Sequence, residues 1–216
     1  MKKLLFILAL LCVFSANAQE STLGLTGKLG AFHTVTSSSQ SATADIDYGL
    51  GLQLELGVLL RKPVTPNGFV QLTPVLALDR QSGGNIRMTD LQQNPVADAK
   101  TRYGNLSVGA GVLYFHRFGS SLAVGAGVAA KYKLTAIMAI QKVMGQNGSE
   151  LDDYYDSFYH RKLTLYLPLE AQLALAPKLE LMAQLQLPIN NRVAAAESAF
   201  KERDLGLVLG LNYLFR

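Results

Sequence analysis

From Ile46 to Leu60 every even-numbered residue is apolar: Ile46, Tyr48, Leu50, Leu52, Leu54, Leu56, Val58 and Leu60. The odd positions over the same stretch carry Asp47, Gly49, Gly51, Gln53, Glu55, Gly57, Leu59 and Arg61. Successive side chains of a strand point to opposite faces. A period of two therefore gives one uniformly aliphatic face and one small, polar or charged face, and a helix would scatter both sets. The run is long as well. A strand of an ordinary soluble sheet has about five or six residues, whereas a tilted strand that crosses a bilayer needs about 9–11.

The pattern returns seven more times and predicts strands over 22–35, 46–61, 69–79, 103–115, 121–134, 162–176, 179–189 and 204–216. The segments between them alternate in length. Those at 36–45, 80–102, 135–161 and 190–203 are long, and those at 62–68, 116–120 and 177–178 are short. The short ones, "KPVTPNG", "RFGS" and "APK", carry the Pro, Gly and Asn of tight turns. Short turns at one end and long loops at the other are the signature of bacterial outer-membrane barrels. In lipid every backbone donor and acceptor must be paired internally, which a closed sheet achieves and an open one does not. The reading is an all-β chain: an eight-stranded antiparallel up-and-down transmembrane β-barrel of the outer-membrane type, with leucine outside and polar groups inside. A water-soluble barrel requires the reverse arrangement. Tyr114, Tyr213 and Phe215 are expected at the periplasmic rim, and Tyr48 and Tyr132 at the outer rim.

The first residues, "MKKLLFILALLCVFSANAQE", contain a short positive start, an apolar run from Leu4 to Phe14 and the small-x-small site Ala16-Asn17-Ala18. This reads as a cleaved signal peptide over 1–18, with a single barrel over 19–216. The only cysteine, Cys12, lies in the apolar run. The mature chain then has no disulfide, no thiolate nucleophile and no cysteine-ligated metal. Without Lys2 and Lys3 it carries 18 basic and 16 acidic residues. That balance speaks against a nucleic-acid partner.

The signal ending "ANAQ", the glycine-rich "LGLGLQLELGVLL", the strand "LTLYLPLEAQL" and the terminal "LGLVLGLNYLFR" together resemble the small outer-membrane β-barrel family common in Bacteroidota, labelled porin-like or PorT-like. The resemblance spans nearly the whole mature chain and rests on patterns rather than on catalytic fingerprints. It implies a Gram-negative outer-membrane address and, for some members, a link to a larger export or assembly complex. One residue departs from the usual ending, since Arg216 follows the terminal aromatic Phe215.

The interior of eight strands is only wide enough for side chains to fill. The polar side chains expected there form a network of Lys28, Gln53, Glu55, Lys131, Glu170, Gln172, Gln184 and Gln186, with Asp47, Asp79, Lys133, Glu180 and Asn212 also inward. If the first hairpin turns near residue 41, Lys28 and Glu55 come level on neighbouring strands and pair. A self-neutralising network keeps the barrel shut, because an unpaired buried charge is costly. Outside the barrel, Tyr154, Tyr155, Phe158 and Tyr159 form a candidate contact surface on the loop over 135–161, where strands five and six are expected to extend as a hairpin turning at "GQNGSE". Segment 80–102 reads as a polar, mobile loop, and 190–203 as one or two helical turns.

Catalytic chemistry has little support. Asp156, Ser157 and His160 are close in sequence, but nucleophilic catalysis needs a base within hydrogen-bond reach of the hydroxyl and a third group to orient it. His33 is placed on strand one and His116 in a periplasmic turn, and no two histidines have ligand spacing. No metal or cofactor is expected. The functional expectation is a non-enzymatic outer-membrane barrel with a closed polar lumen. It would act through its extracellular loops or its lipid-facing wall as a structural or accessory partner-binding protein. A narrow porin-like channel or solute-binding barrel is the alternative, followed by a lipid-modifying enzyme.

Overall fold

A computed structural model describes residues 21–38, 44–89, 95–143, 146–147, 150–151, 161–192 and 200–215. Eight long strands form the wall: β1 (Thr22–Ser38), β3 (Gly51–Thr65), β4 (Gly68–Thr89), β5 (Pro95–Phe118), β6 (Leu122–Val143), β9 (Leu163–Ala176), β10 (Leu179–Pro188) and β11 (Phe200–Phe215). Three short pieces belong to the loop end: β2 (Ala44–Asp47), β7 (Gln146–Asn147) and β8 (Glu150–Leu151). Each long strand pairs antiparallel with the next one along the chain, and β11 returns to β1 from Leu23↔Phe215 to Ser38↔Phe200. The sheet is therefore closed, with no free edge for lipid to meet.

Following the register from Leu23 through Leu60, Leu72, Val112, Val128, Leu167, Leu187 and Leu205, with the flanking pairs carried across the unpaired positions 128/167 and 187/205, brings the chain back to β1 at His33, ten residues further along. That stagger is what tilts the strands and sets the bore. Two rungs of the wall are missing beside prolines. Pro74 has no partner on its β3 side, between Gly57↔Val75 and Leu60↔Leu72. Pro168 has none on its β6 side, between Ala126↔Leu169 and Ala129↔Tyr166. Proline lacks the N–H that each rung needs.

The two faces separate as the alternation requires. Outward leucines such as Leu29 and Leu207 are 65% and 57% exposed, while inward Leu59, Met182 and Val208 are fully buried. Tyr114, Tyr132, Tyr213 and Phe215 project outward, and Tyr213 and Phe215 meet edge to face. A Cβ on Gly51 would come well inside van der Waals contact with the tip of the Phe32 ring, so any other residue there would push the ring aside. Gly119 makes the positive-φ step in the β5–β6 turn.

Several segments differ from the sequence reading. Residues 80–89 and 95–102 are not a mobile loop but paired strand, joined from Asp79↔Asn105 out to Thr89↔Pro95. β6 runs on to Val143 and β7 and β8 fold back on it, as the expected extended hairpin requires, and the first returning residue described, Gln146, lies within "GQNGSE". The expected second strand, 46–61, is interrupted over 48–50, although β2 and β3 keep one register against β4. His116 lies at the end of β5 rather than in a turn; the turn occupies 119–121. No helix occurs among the described residues. The segment 193–199 lies outside them, as do the expected signal peptide, the Asp156, Ser157 and His160 group and the surface of Tyr154, Tyr155, Phe158 and Tyr159.

Candidate functional site

Inward positions on neighbouring strands are forced into one bore, so the site grows directly from parity and register. In the middle of the bore, Lys28 on β1 stands level with Glu55 on β3, their charged atoms 3.7 Å apart. Lys131 on β6 reaches Glu55 from across the bore at 2.6 Å. Lys28 also lies 3.9 Å from Glu170 on β9. Glu170 accepts hydrogen bonds from Gln184 at 2.6 Å and from Gln172 at 2.7 Å. Gln186 donates to Gln184, and Gln53 donates to Glu55. Two lysines and two glutamates thus cancel in one layer, with the amides of Gln53, Gln172, Gln184 and Gln186 bonded to the carboxylates and to one another. All eight side chains of the expected network, Lys28, Gln53, Glu55, Lys131, Glu170, Gln172, Gln184 and Gln186, are buried here.

Toward the short turns the bore holds a second layer. Arg61 grips Glu180 with both arms of its guanidinium, at 2.5 and 2.6 Å. It also donates to Gln71 at 2.8 Å and to Gln172 at 2.9 Å. Gln172 links this layer to the middle one. Beneath it Phe69 stacks on Phe115 with centroids 4.9 Å apart, and Arg61 and Arg117 both lie against the Phe69 ring. Arg61 stands on the polar face of the expected strand 46–61 but is not part of the expected network, being that strand's last residue before "KPVTPNG"; β3 in fact runs on to Thr65.

The loop end is capped by Arg192, which enters the bore from the connection between β10 and β11. Its Nη1 lies 3.2 Å from Asp204 and donates to Thr34 and Gln81, each at 3.3 Å. Thr34 donates to Asp204 at 2.7 Å. The guanidinium lies over Tyr103, 4.2 Å from the ring centre, and Lys133 donates to the Tyr103 hydroxyl at 2.7 Å. Tyr48 is a correction. Its even position placed it among outward rim aromatics, but its hydroxyl donates to Glu202 at 2.8 Å inside the mouth. The break over 48–50 lets the ring turn inward. Burial, reinforced by the Glu202 carboxylate, pushes the Tyr48 hydroxyl well above its usual range, so it stays a donor.

Little space is left. A void of about 30 Å³ lies beside Lys28, Glu55 and Lys131, and one of about 10 Å³ beside Asp79 and Arg192. Each is of the size that holds a water molecule rather than a solute. Asp79 Oδ1, without a hydrogen-bond partner among the described residues, faces the smaller one. No group of three His, Cys, Asp or Glu side chains converges on a metal position among the described residues. His33 and His116 are exposed at opposite ends of the wall, and His116 packs edge-on against Phe118.

No protein-family model matches the chain. No curated protein matches it. Solved structures do. Neisserial surface protein A, NspA, aligns over 88% of this chain and 97% of its own, with 14% identity and a TM-score of 0.50. With the leucine-faced closed ring already described, that likeness decides the fold. The chain is an eight-stranded outer-membrane-type β-barrel. Two other matches are more distant. Ail, the attachment invasion locus protein of Yersinia pestis, covers 91% of this chain and 100% of its own at 12% identity and a TM-score of 0.43. The outer-membrane protease OmpT of Escherichia coli covers 91% and 95% at 11% identity and a TM-score of 0.39.

Proposed function

We propose that this barrel is a non-enzymatic resident of the outer membrane of a Gram-negative bacterium, exported by a signal peptide over residues 1–18. It works through its extracellular loops or its lipid-facing wall as a structural or accessory partner-binding protein. The observation that carries this reading is the middle layer of the bore, where Lys28, Lys131, Glu55 and Glu170 neutralise one another and leave a void of only about 30 Å³. A buried pair held this way strongly resists opening, since separating it strands charge in a poorly solvated interior. Function is then left to the outside. The resemblance to small Bacteroidota barrels makes a larger export or assembly complex the partner class of choice, and Tyr154, Tyr155, Phe158 and Tyr159 the surface to test first.

Pure protein in planar bilayers should give no steady conductance; a stable open level of a size seen for diffusive pores would end the closed-lumen reading. Protein purified from its native outer membrane in mild detergent should bring a stoichiometric partner, and replacing the four aromatics by Ser should release it. Isolation of a lone barrel would remove the accessory role and leave a purely structural one. Retention of the partner by the fourfold variant would move the contact to the wall.

A further inference from the structure

The short-turn end of the bore is open where the rest is filled. Below the Phe69–Phe115 stack lies a cavity of about 470 Å³, bounded by three turns and by the first residues of β1. That is room for on the order of fifteen waters at about 30 Å³ each, many times the voids above it. In barrels of this type this end faces the periplasm.

Its charge is unbalanced in a particular way. Among the described residues the one carboxylate lining it, Glu180, is held by both arms of Arg61. Arg117 is the other cation on the wall. Among the described residues its guanidinium meets only the Phe69 ring, 4.9 Å from the centre, and the side chain is exposed to the cavity mouth. A guanidinium laid on an aromatic ring is oriented yet keeps its five N–H donors. Around it stand further groups able to donate: the amide of Asn67, on the β3–β4 turn, the hydroxyl of Thr22, on β1, and that of Ser120, on the β5–β6 turn, which lies 3.5 Å from the Ser121 hydroxyl. Pro63, Pro66 and Pro177 stiffen the rim between them.

We propose that this vestibule binds a phosphate group. The donors sit on separate elements around the cavity: β1, the end of β5 and two turns. A tetrahedral phosphate offers oxygens in all those directions, whereas a planar carboxylate offers two in one plane. Arg–phosphate contacts are charge-assisted and bidentate, the strong end of the hydrogen-bond range. The phosphate belongs either to a soluble organic ester entering from the periplasm or to a phospholipid headgroup reaching round the rim, whose level the outward Tyr114, Tyr213 and Phe215 mark.

The test uses the full mature chain folded in a phosphate-free amine-oxide detergent, with amide and Arg side-chain NMR shifts as the readout. Glycerol 3-phosphate and short-chain phosphatidylglycerol doped into the micelle are titrated separately, with acetate as the comparison anion. Saturable shifts at Arg117, Gly119 and Ser120 with either phosphate probe are expected, with acetate at least tenfold weaker. A response to glycerol 3-phosphate assigns a soluble ligand, and a response to the lipid alone assigns a headgroup. Arg117→Gln should weaken binding at least fivefold. Arg80→Gln, an exposed outward arginine far along β4, should change nothing. Both variants are checked for the heat-dependent gel shift of a folded barrel. No saturable shift with either probe, equal binding of acetate, or undiminished binding by folded Arg117→Gln would overturn the proposal.

Discussion

The middle layer of the bore and its loop-side cap use the same chemistry at different depths. Both neutralise Lys or Arg against Glu or Asp with amides and hydroxyls between them. In the middle, every group comes from a strand whose neighbours fix its height, as Lys28 opposite Glu55 and Gln184 opposite Glu170. In the cap, Arg192 comes from a connection and Tyr48 from an interruption between strands, while Asp204 and Tyr48 keep partial exposure. A charge stripped of its partner in the middle has only a void of about 30 Å³, room for a single water, to hydrate it. One stripped of its partner in the cap can be hydrated from the mouth. Depth, more than bond count, therefore decides which layer holds the barrel shut.

The largest effect expected from this contrast is at Glu55. Glu55→Leu removes the carboxylate that faces both Lys131 and Lys28, and should cost about 3–5 kcal/mol in urea unfolding from lipid vesicles. The double variant Glu55→Leu with Lys131→Met removes one charge of each sign and leaves Lys28 beside Glu170. It should recover most of that loss, because replacing a buried pair by apolar groups of similar volume is close to neutral. Additive losses in the double variant would mean that the middle layer is not electrostatically coupled.

The cap should respond less. Arg192→Ala removes contacts to Asp204, Thr34 and Gln81. Thr34 still donates to Asp204, and water can replace the rest. A loss of about 1–3 kcal/mol is expected, the range for leaving buried polar groups short of a partner. Conductance should stay absent, because the middle layer is untouched. A channel opening in Arg192→Ala would transfer the sealing role from the middle of the bore to its mouth.

The same contrast divides what could be read from the residues alone. A period of two and a count of connection lengths are enough to place Lys28 level with Glu55, since inside a bilayer one face must be apolar and its phase is visible. Above the bilayer both faces of a strand are wet, so 80–89 and 95–102 carry no such phase and look like loop although they are paired. Arg192 was invisible for another reason. A connection has no register, and only its fold over the mouth brings Arg192 to Asp204, twelve positions along the chain. Tyr48 shows the limit of parity itself: three residues without a ladder partner suffice to turn an even side chain inward.

The smallest effect tests that last residue. Tyr48→Phe keeps the ring near Arg192, 5.7 Å from ring centre to guanidinium, and removes only the hydrogen bond to Glu202. Such a bond contributes about 0.5–1.5 kcal/mol net, and somewhat more when the acceptor is charged. Because Glu202 also accepts the Arg192 backbone N–H through its carbonyl, at 2.8 Å, the loss should loosen the connection locally. Hydrogen exchange should quicken at the amides of Arg192 and Glu202 and stay unchanged at those of Lys28 and Glu55. Equal quickening in both places would mean that cap and middle layer open as one unit, and that the difference in depth does not separate them.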